Sequence, residues 1–224
     1  MTQWWPLTAL RLQTPRLELR LPGAADLDAL AELAAAGVHD PAVQPFETAW
    51  TDVTPLERAR SVLQFHWSQR AAWTPQQWAL QLVVVRDGTV VGTQGISGHD
   101  FALLREVSTG SWLGLGHQRQ GIGTEMRAAV LHLAFAGLGA QYAVSSASSD
   151  NAASLGVSRK LGYALDGINR QVSRDRPVTN VRLRLDRQTW AARAVVPVRI
   201  AGLDPCLPMF GLPGGAERQG DVRA

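Results

Sequence analysis

The stretch Leu113-Gly114-Leu115-Gly116-His117-Gln118-Arg119-Gln120-Gly121-Ile122-Gly123-Thr124 decides how this chain is read. The alternation before it predicts a strand near Val107 to Leu115. After it, Met126, Ala129, Val130, Leu133 and Ala134 recur at three- and four-residue spacing, which predicts a helix from about Thr124 to Leu138. A chain that turns from strand into helix leaves the first helical N–H groups unpaired, and the helix dipole adds partial positive charge at the same place. Glycine is needed where backbone must approach an anion closely or take positive φ. A phosphate is the natural occupant of such a turn.

Working outward, Leu17-Glu18-Leu19-Arg20-Leu21 alternates as a half-buried strand. Gly23 then opens a helix with Leu27, Leu30, Ala31 and Ala34 on one face, ending near Gly37. Val38 to Asp52 shows no period and reads as a long ordered loop. Thr54-Pro55-Leu56-Glu57 is a helix start: Thr54 can cap, Pro55 suits the first position and Glu57 can reach back to the cap amide. Ala79 to Arg86 and Thr89 to Gln94, joined by Asp87-Gly88, form a hairpin. Beyond the glycine-rich turn come a strand at Gln141 to Ser146, a helix from Asp150-Asn151 to Leu161-Gly162, and strands at Tyr163 to Ile168 and Val181 to Leu185. The order is β-α-α-β-β-β-α-β-α-β-β. This predicts an α/β (α+β) fold, a mixed, mostly antiparallel central sheet with helices on both faces. Residues 1–190 make the domain, and 191–211 an extension whose strand Val195 to Ile200 has no neighbour in the main pattern and is expected at a subunit interface or over a sheet edge. Residues 212–224 are expected to be a flexible tail.

Composition narrows the function classes. With 224 residues, 46% hydrophobic and 18% charged, the chain reads as an ordinary globular protein. No apolar run reaches the roughly 18 residues of a spanning helix and no export signal opens the sequence, so a cytoplasmic protein without a membrane partner is expected. One cysteine, Cys206, excludes an internal disulfide and a cysteine-cluster metal site. No His/Asp/Glu group has metal-ligand spacing, so no metal is expected. The net charge of +3 is carried almost wholly by arginine, Lys160 being the one lysine. It is too small and too scattered for a nucleic-acid stripe, and the question it leaves is where the arginines point.

Three phosphate motifs can be set against the turn. A P-loop counted from Gly116 needs Lys and Ser/Thr after Gly121, where Ile122 and Gly123 stand; a dinucleotide fingerprint from Gly121 needs glycine at Met126. The third fits: Gln118-x-x-Gly121-x-Gly123, opening a helix, resembles the pyrophosphate loop of the GCN5-related N-acetyltransferases (GNAT). Gly110-Ser111-Trp112-Leu113, Asp150-Asn151-Ala152-Ala153-Ser154, Ser158-Arg159-Lys160-Leu161-Gly162-Tyr163 and Thr14-Pro15-Arg16-Leu17-Glu18-Leu19-Arg20 are similar to the RimJ/RimL-like branch. The resemblance spans about Leu12 to Asp186. The Trp-Pro-Leu start, the Gly-Val-His-Asp-Pro loop and the Gly-Thr-Glu-Met-Arg-Ala-Ala-Val-Leu helix also resemble a mycobacterial member described as a succinyltransferase.

The resemblance implies attack of a neutral amine on an acyl-coenzyme A thioester, with acetyl-CoA or succinyl-CoA as donor. It implies that the main chain at Ser111 and Leu113 binds pantetheine and the thioester oxygen. Amides of Arg119, Gln120, Gly121, Ile122, Gly123 and Thr124 would cradle pyrophosphate with Gln118 in support, Asn151 would bind the pantetheine arm, and Ser154 would sit near the sulfur as acid or orienting hydroxyl. Ser154 is otherwise a plain polar helix residue. Where the branch often carries a glutamate base this chain has Ser108, so Glu106 on the same strand face is the candidate, with Asp100 and His99 as substitutes and solvated edge charge as the bland reading of each. His39-Asp40 is a further candidate base, read more simply as a capped turn. His117 lies in the loop, either at the nucleotide or merely exposed, and His66 and His132 read as structural. Trp50 could wall an acceptor site. A succinyl carboxylate would need an arginine fork, and the sequence does not say which of its 21 arginines supplies one. The acceptor stays open among protein N-termini, lysines and small amines. A homodimer or higher homo-oligomer is expected from the lone strand, and a catalytically impaired CoA-binding regulatory module is the competing reading.

Overall fold

The computed structural model describes residues 3–46, 48–193 and 196–214. Nine strands form one sheet in the order β7-β8-β6-β5-β4-β3-β2-β1-β9. They are β1 (Arg11–Gln13), β2 (Glu18–Arg20), β3 (Gln77–Arg86), β4 (Thr89–His99), β5 (Glu106–Leu113), β6 (Tyr142–Ser148), β7 (Ala164–Ser173), β8 (Arg176–Asp186) and β9 (Arg199–Ala201). All neighbours are antiparallel except β5 and β6. The helices are α1 (Ala24–Ala36), α2 (Pro55–Ala71), the short α3 (Phe101–Leu104), α4 (Ile122–His132), α5 (Ala152–Leu161) and α6 (Arg187–Ala191). The mixed, mostly antiparallel sheet with helices on both faces is the architecture read from the sequence.

Local chemistry explains most boundaries. Thr54 caps α2 through the Glu57 amide while the Glu57 carboxylate accepts from the Thr54 amide at 3.0 Å. Asp87 and Gly88 both take positive φ, the conformation a two-residue β3–β4 turn requires. Arg174 and Asp175 do the same between β7 and β8, without the Asn-Gly signature that would have announced it. Helix α4 is buried on nearly every side and ends in a single π turn, Leu133–Gly137.

Strand β5 separates the two faces. Val107 and Leu113 join a core with Ile122, Met126 and Leu161 of α4 and α5, whereas Trp112 packs with Leu30, Ala34 and Val62 of α1 and α2. Side chains alternate along a strand, so Glu106, Ser108 and Gly110 share the α1–α2 face with Trp112, and Thr109 shares the α4–α5 face.

The ends differ from the sequence reading. The N-terminal strand is a hairpin of two short strands, and β9 pairs with β1 of its own chain, Leu12 opposite Ile200. That C-terminal strand therefore has its neighbour within the chain; Val195, where it was expected to start, lies outside the described residues. The Pro/Gly-rich segment is ordered as far as it is described: Asp204–Phe210 is a 3₁₀ helix that buries Cys206, Leu207 and Phe210 in the main core, and Leu212 is buried after it. Of the expected tail, residues 215–224 lie outside the described residues. Among the described residues no helix is long and apolar enough to cross a membrane.

Candidate functional site

The parallel pairing of β5 with β6 lasts for three residues, Glu106 opposite Tyr142, Val107 opposite Ala143 and Ser108 opposite Val144. From Thr109 to Leu113 the two strands part, so the β6-facing backbone of β5 has no strand partner over this length, the Leu113 carbonyl being taken instead by a side chain, Gln118. Ser111 and Leu113 lie on this splayed segment. A Cβ added at Gly110 would meet nothing within 4 Å, so no protein atom fills the space beside it.

At the open end of the splay the chain enters α4 through Gly121, whose φ of 81° places it in the left-handed region. The first internal hydrogen bonds of α4 run from the Thr124 and Glu125 amides to the Gly121 carbonyl, which leaves the Ile122 and Gly123 amides ahead of them. Arg119 is exposed, also with positive φ, at 59°. Gln118 does not reach outward: its Nε2 donates to the carbonyls of Val38 at 2.7 Å and Leu113 at 3.0 Å, bracing the loop from inside. Gln120 braces it too, donating to the Gly116 carbonyl and accepting from Arg86 Nη1 at 2.7 Å.

Two arginines that the sequence reading passed over stand here. Arg16 donates through Nη1 to the Gln120 carbonyl at 3.1 Å and through Nε to Glu125 Oε2 at 2.7 Å. Thr14 Oγ1 donates to the other oxygen of Glu125 at 2.6 Å. Glu125 is 4% exposed; a carboxylate so placed requires a cation, and that requirement is the signal by which Arg16 could have been found. Arg16, Arg86 and Arg119 answer part of the question about where the positive charge points.

Asn151 and Ser154 flank the splay on α5. Asn151 Oδ1 accepts from the Ser154 amide at 3.0 Å and caps the helix, while its Nδ2 donates to the Pro45 carbonyl at 3.2 Å. The side chain expected on a pantetheine arm is thus also a cap and a tie to the long loop. Ser154 is half-buried, and its carbonyl accepts from Ser158 Oγ.

On the α2 face, a groove of about 490 Å³ runs over the closed end of the splay, lined among others by Gln69, Gln81, Ser97, His99, Glu106 and Ser108. It brings together two of the candidate bases read from the sequence, Glu106 and His99, with Ser108 beside them. Glu106 Oε2 accepts from Arg184 Nη1 at 2.5 Å, and Arg184 also pairs with Asp166 at 3.3 Å. His99 pairs with Asp100 at 3.0 Å on the surface. Trp50 lies between Phe46 and Trp112, at centroid distances of 5.2 and 5.8 Å, as part of an aromatic row under the long loop. His39 braces that loop through Thr51 and the Asp40 carbonyl, and Asp40 caps a turn at Ala42. His66 is buried in α2, where desolvation and the charge of Arg70 lower its pKa to about 4. Burial likewise lowers the pKa of His132 and raises that of the Cys206 thiol to about 11. Among the described residues no group of three His, Cys, Asp or Glu is placed to hold a metal ion.

The fold recurs in solved structures. RimJ of Mycobacterium smegmatis, in complex with CoA-disulfide, superposes with a TM-score of 0.65 at 19% identity, over 82% of this chain and 89% of that one. A GCN5-related N-acetyltransferase from Brucella melitensis gives 0.64 at 20% identity, over 81% and 80%. RimL, a ribosomal L7/L12 α-N-protein acetyltransferase in complex with coenzyme A, gives 0.61 at 19% identity, over 77% and 95%. Residues 16–164, which include the splayed strand, the glycine-opened helix and the α5 cap, match the acetyltransferase (GNAT) domain family, and the chain belongs to that family.

Proposed function

We propose that the protein is an N-acyltransferase that moves an acyl group from coenzyme A to an amine by direct attack on the thioester. The observation that carries this reading is the parting of β5 from β6 directly ahead of a helix N-terminus opened by Gly121. The splayed backbone from Thr109 to Leu113 suits an extended, amide-bearing chain such as pantetheine, and the amides at Ile122 and Gly123 suit a pyrophosphate. The exposed Arg119 adds positive charge at the rim of the same loop, while Arg16 and Arg86, paired with Glu125 and Asp87, hold it in shape. Near the thioester, Ser154 orients the sulfur. In the groove, Glu106 accepts the proton of the incoming ammonium; its Oε1 has no protein partner among the described residues.

Acetyl-CoA is the default donor of the family. The likeness to a mycobacterial relative described as a succinyltransferase adds succinyl-CoA as the finer reading, and the acceptor is a protein N-terminus, a lysine or a small amine. Thiol release measured in parallel with both donors across an amine panel tests the reading. Turnover with one donor at least tenfold above the other assigns the donor, and no turnover with either defeats acyl transfer. A second reading, a CoA-binding module without catalysis, is favoured by Ser108 at the usual carboxylate position and by the Glu106–Arg184 ion pair. Tight CoA binding without turnover would select it.

A further inference from the structure

Arg127 lies on α4 one turn beyond Gly123 and is 5% exposed. Its Nη1 donates to Ser158 Oγ on α5 at 2.9 Å, and Ser158 donates onward to the Ser154 carbonyl at 3.1 Å. No carboxylate among the described residues pairs with it, and its Nε has no hydrogen-bond partner. A buried charge without a counter-ion costs several kcal/mol, so such a cation calls for an anion from outside the chain. The charged and titratable groups around it do not supply one. Glu125, two residues earlier, is held by Arg16 and Thr14, and Glu106 at the start of β5 is held by Arg184. Arg159 and Lys160 of α5 are exposed cations. Tyr163 is buried, its Oη 3.5 Å from Thr109 Oγ1, and desolvation raises its pKa, so it stays a neutral phenol.

The position of the cation selects the anion. Thr109 is the first residue of β5 past the pairing with β6, and it faces α4 and α5. Glu106 and Ser108 face the groove on the opposite side. On the reading proposed above, an amine arriving from the groove would meet the acyl carbon at the closed end of the splay, and the sulfur would leave on the side away from the groove, towards α4 and α5.

We propose that Arg127 is the thiolate receptor of the site: its guanidinium, held by Ser158, takes the negative charge that gathers on the coenzyme A sulfur. As the amine N–C bond forms, the C–S bond breaks and its electron pair goes to sulfur. The groove-side base, having passed the ammonium proton to solvent, takes the remaining amine proton, and the thiolate remains paired with Arg127 until water protonates it. This rests on the reading that the site takes acyl-coenzyme A and adds how its leaving group is stabilised.

The test is a titration of bound coenzyme A thiol by its ultraviolet thiolate absorbance, with affinity measured in parallel by calorimetry. A cation in contact lowers a thiol pKa by about 1 to 3 units, so the bound thiol should titrate that far below free coenzyme A. Arg127→Met should abolish the shift while keeping the fold, since it replaces an unpaired buried charge by an apolar chain of similar length. Arg127→Lys should retain part of it. A bound thiol that titrates like the free one, a shift that survives Arg127→Met, or a loss in that variant confined to donors whose acyl group ends in a carboxylate would each overturn the proposal. Failure of the unsubstituted protein to bind coenzyme A at all would overturn the reading of the site as well, which separates the two failures.

Discussion

The two ends of the splay are built on different principles. On the proposed function the donor end is a matter of backbone: Gly121 sets the conformation, the Ile122 and Gly123 amides precede the first hydrogen bonds of α4, and side chains such as Gln118 and Gln120 are spent holding the loop in shape. The proposed acceptor end is a matter of side chains, with Gln81 of β3, Ser97 and His99 of β4, Glu106 and Ser108 of β5 and Gln69 of α2, Ser97 standing directly opposite Ser108. A backbone site tolerates changes of side chain and is sensitive to glycine. A side-chain site has the opposite sensitivity, which is how one scaffold can keep a donor and change acceptors.

The sharpest way to break this contrast is Glu106→Gln. If the acceptor end does its chemistry through that carboxylate, kcat should fall by about 10² or more, as for loss of a general base, while the dissociation constant of coenzyme A stays within about twofold. A matching loss of donor affinity would show that the two ends are not separable. Next in size is an effect of pH on the fold beneath the groove. His66 lines a small cavity that shares Gln69, Ala79 and Gln81 with the groove. Its pKa of about 4 in the fold lies below the ordinary value of 6.5, so the unfolded chain takes up the proton first as pH falls. Its contribution is fully present above about pH 6.5 and is lost towards pH 4, amounting to at most about 3 kcal/mol. Denaturant unfolding of His66→Leu should lack this part of the acid slope; parallel curves for both proteins would contradict it. The smallest effect belongs to the donor end. Gly121→Val forces a branched residue into the left-handed region at about 1–2 kcal/mol; the free loop relaxes out of that conformation and binding must restore it, which costs roughly tenfold in coenzyme A affinity. Calorimetry should find that loss without a change in acceptor KM, and unchanged donor affinity would mean that the glycine conformation is not what holds the phosphate loop.

The same contrast governs how much the sequence discloses. Helix starts, the Asp87-Gly88 turn and the glycine-rich loop were legible because each is a local device in which neighbours in sequence satisfy one another. Arg16 and Arg86 were not, because they reach the loop from β2's approach and the end of β3, more than 30 positions away. The C-terminal 3₁₀ helix was concealed by its two prolines and the glycines that flank it, although Leu203, Cys206, Leu207 and Phe210 keep helical spacing. Strand β7 was read too short because it lies at the sheet edge, with Leu165, Ile168 and Val172 exposed, and so lacks the inside–outside alternation of a half-buried strand. The candidate base is the least legible feature, since proposing one depends on which carboxylate the sheet turns towards the groove.

Among its described residues the long loop 38–52 has no helix or strand, and besides the packing of Trp50 on Trp112 it is tied by side-chain hydrogen bonds to three distant parts of the chain. The Val38 carbonyl is held by Gln118 of the donor loop, the Pro45 carbonyl by Asn151 at the α5 cap, and Asp52 by Arg174 at the tip of the β7–β8 hairpin. Swinging the loop outward would therefore remove one brace of the glycine-rich loop and one hydrogen bond from the side chain that caps α5 in the same movement, while the cap itself, Asn151 Oδ1 to the Ser154 amide, would remain. Two of the three ties are neutral amides and only the Arg174 tie is an exposed ion pair, so added salt releases the loop at the hairpin corner and leaves it pinned beside the donor.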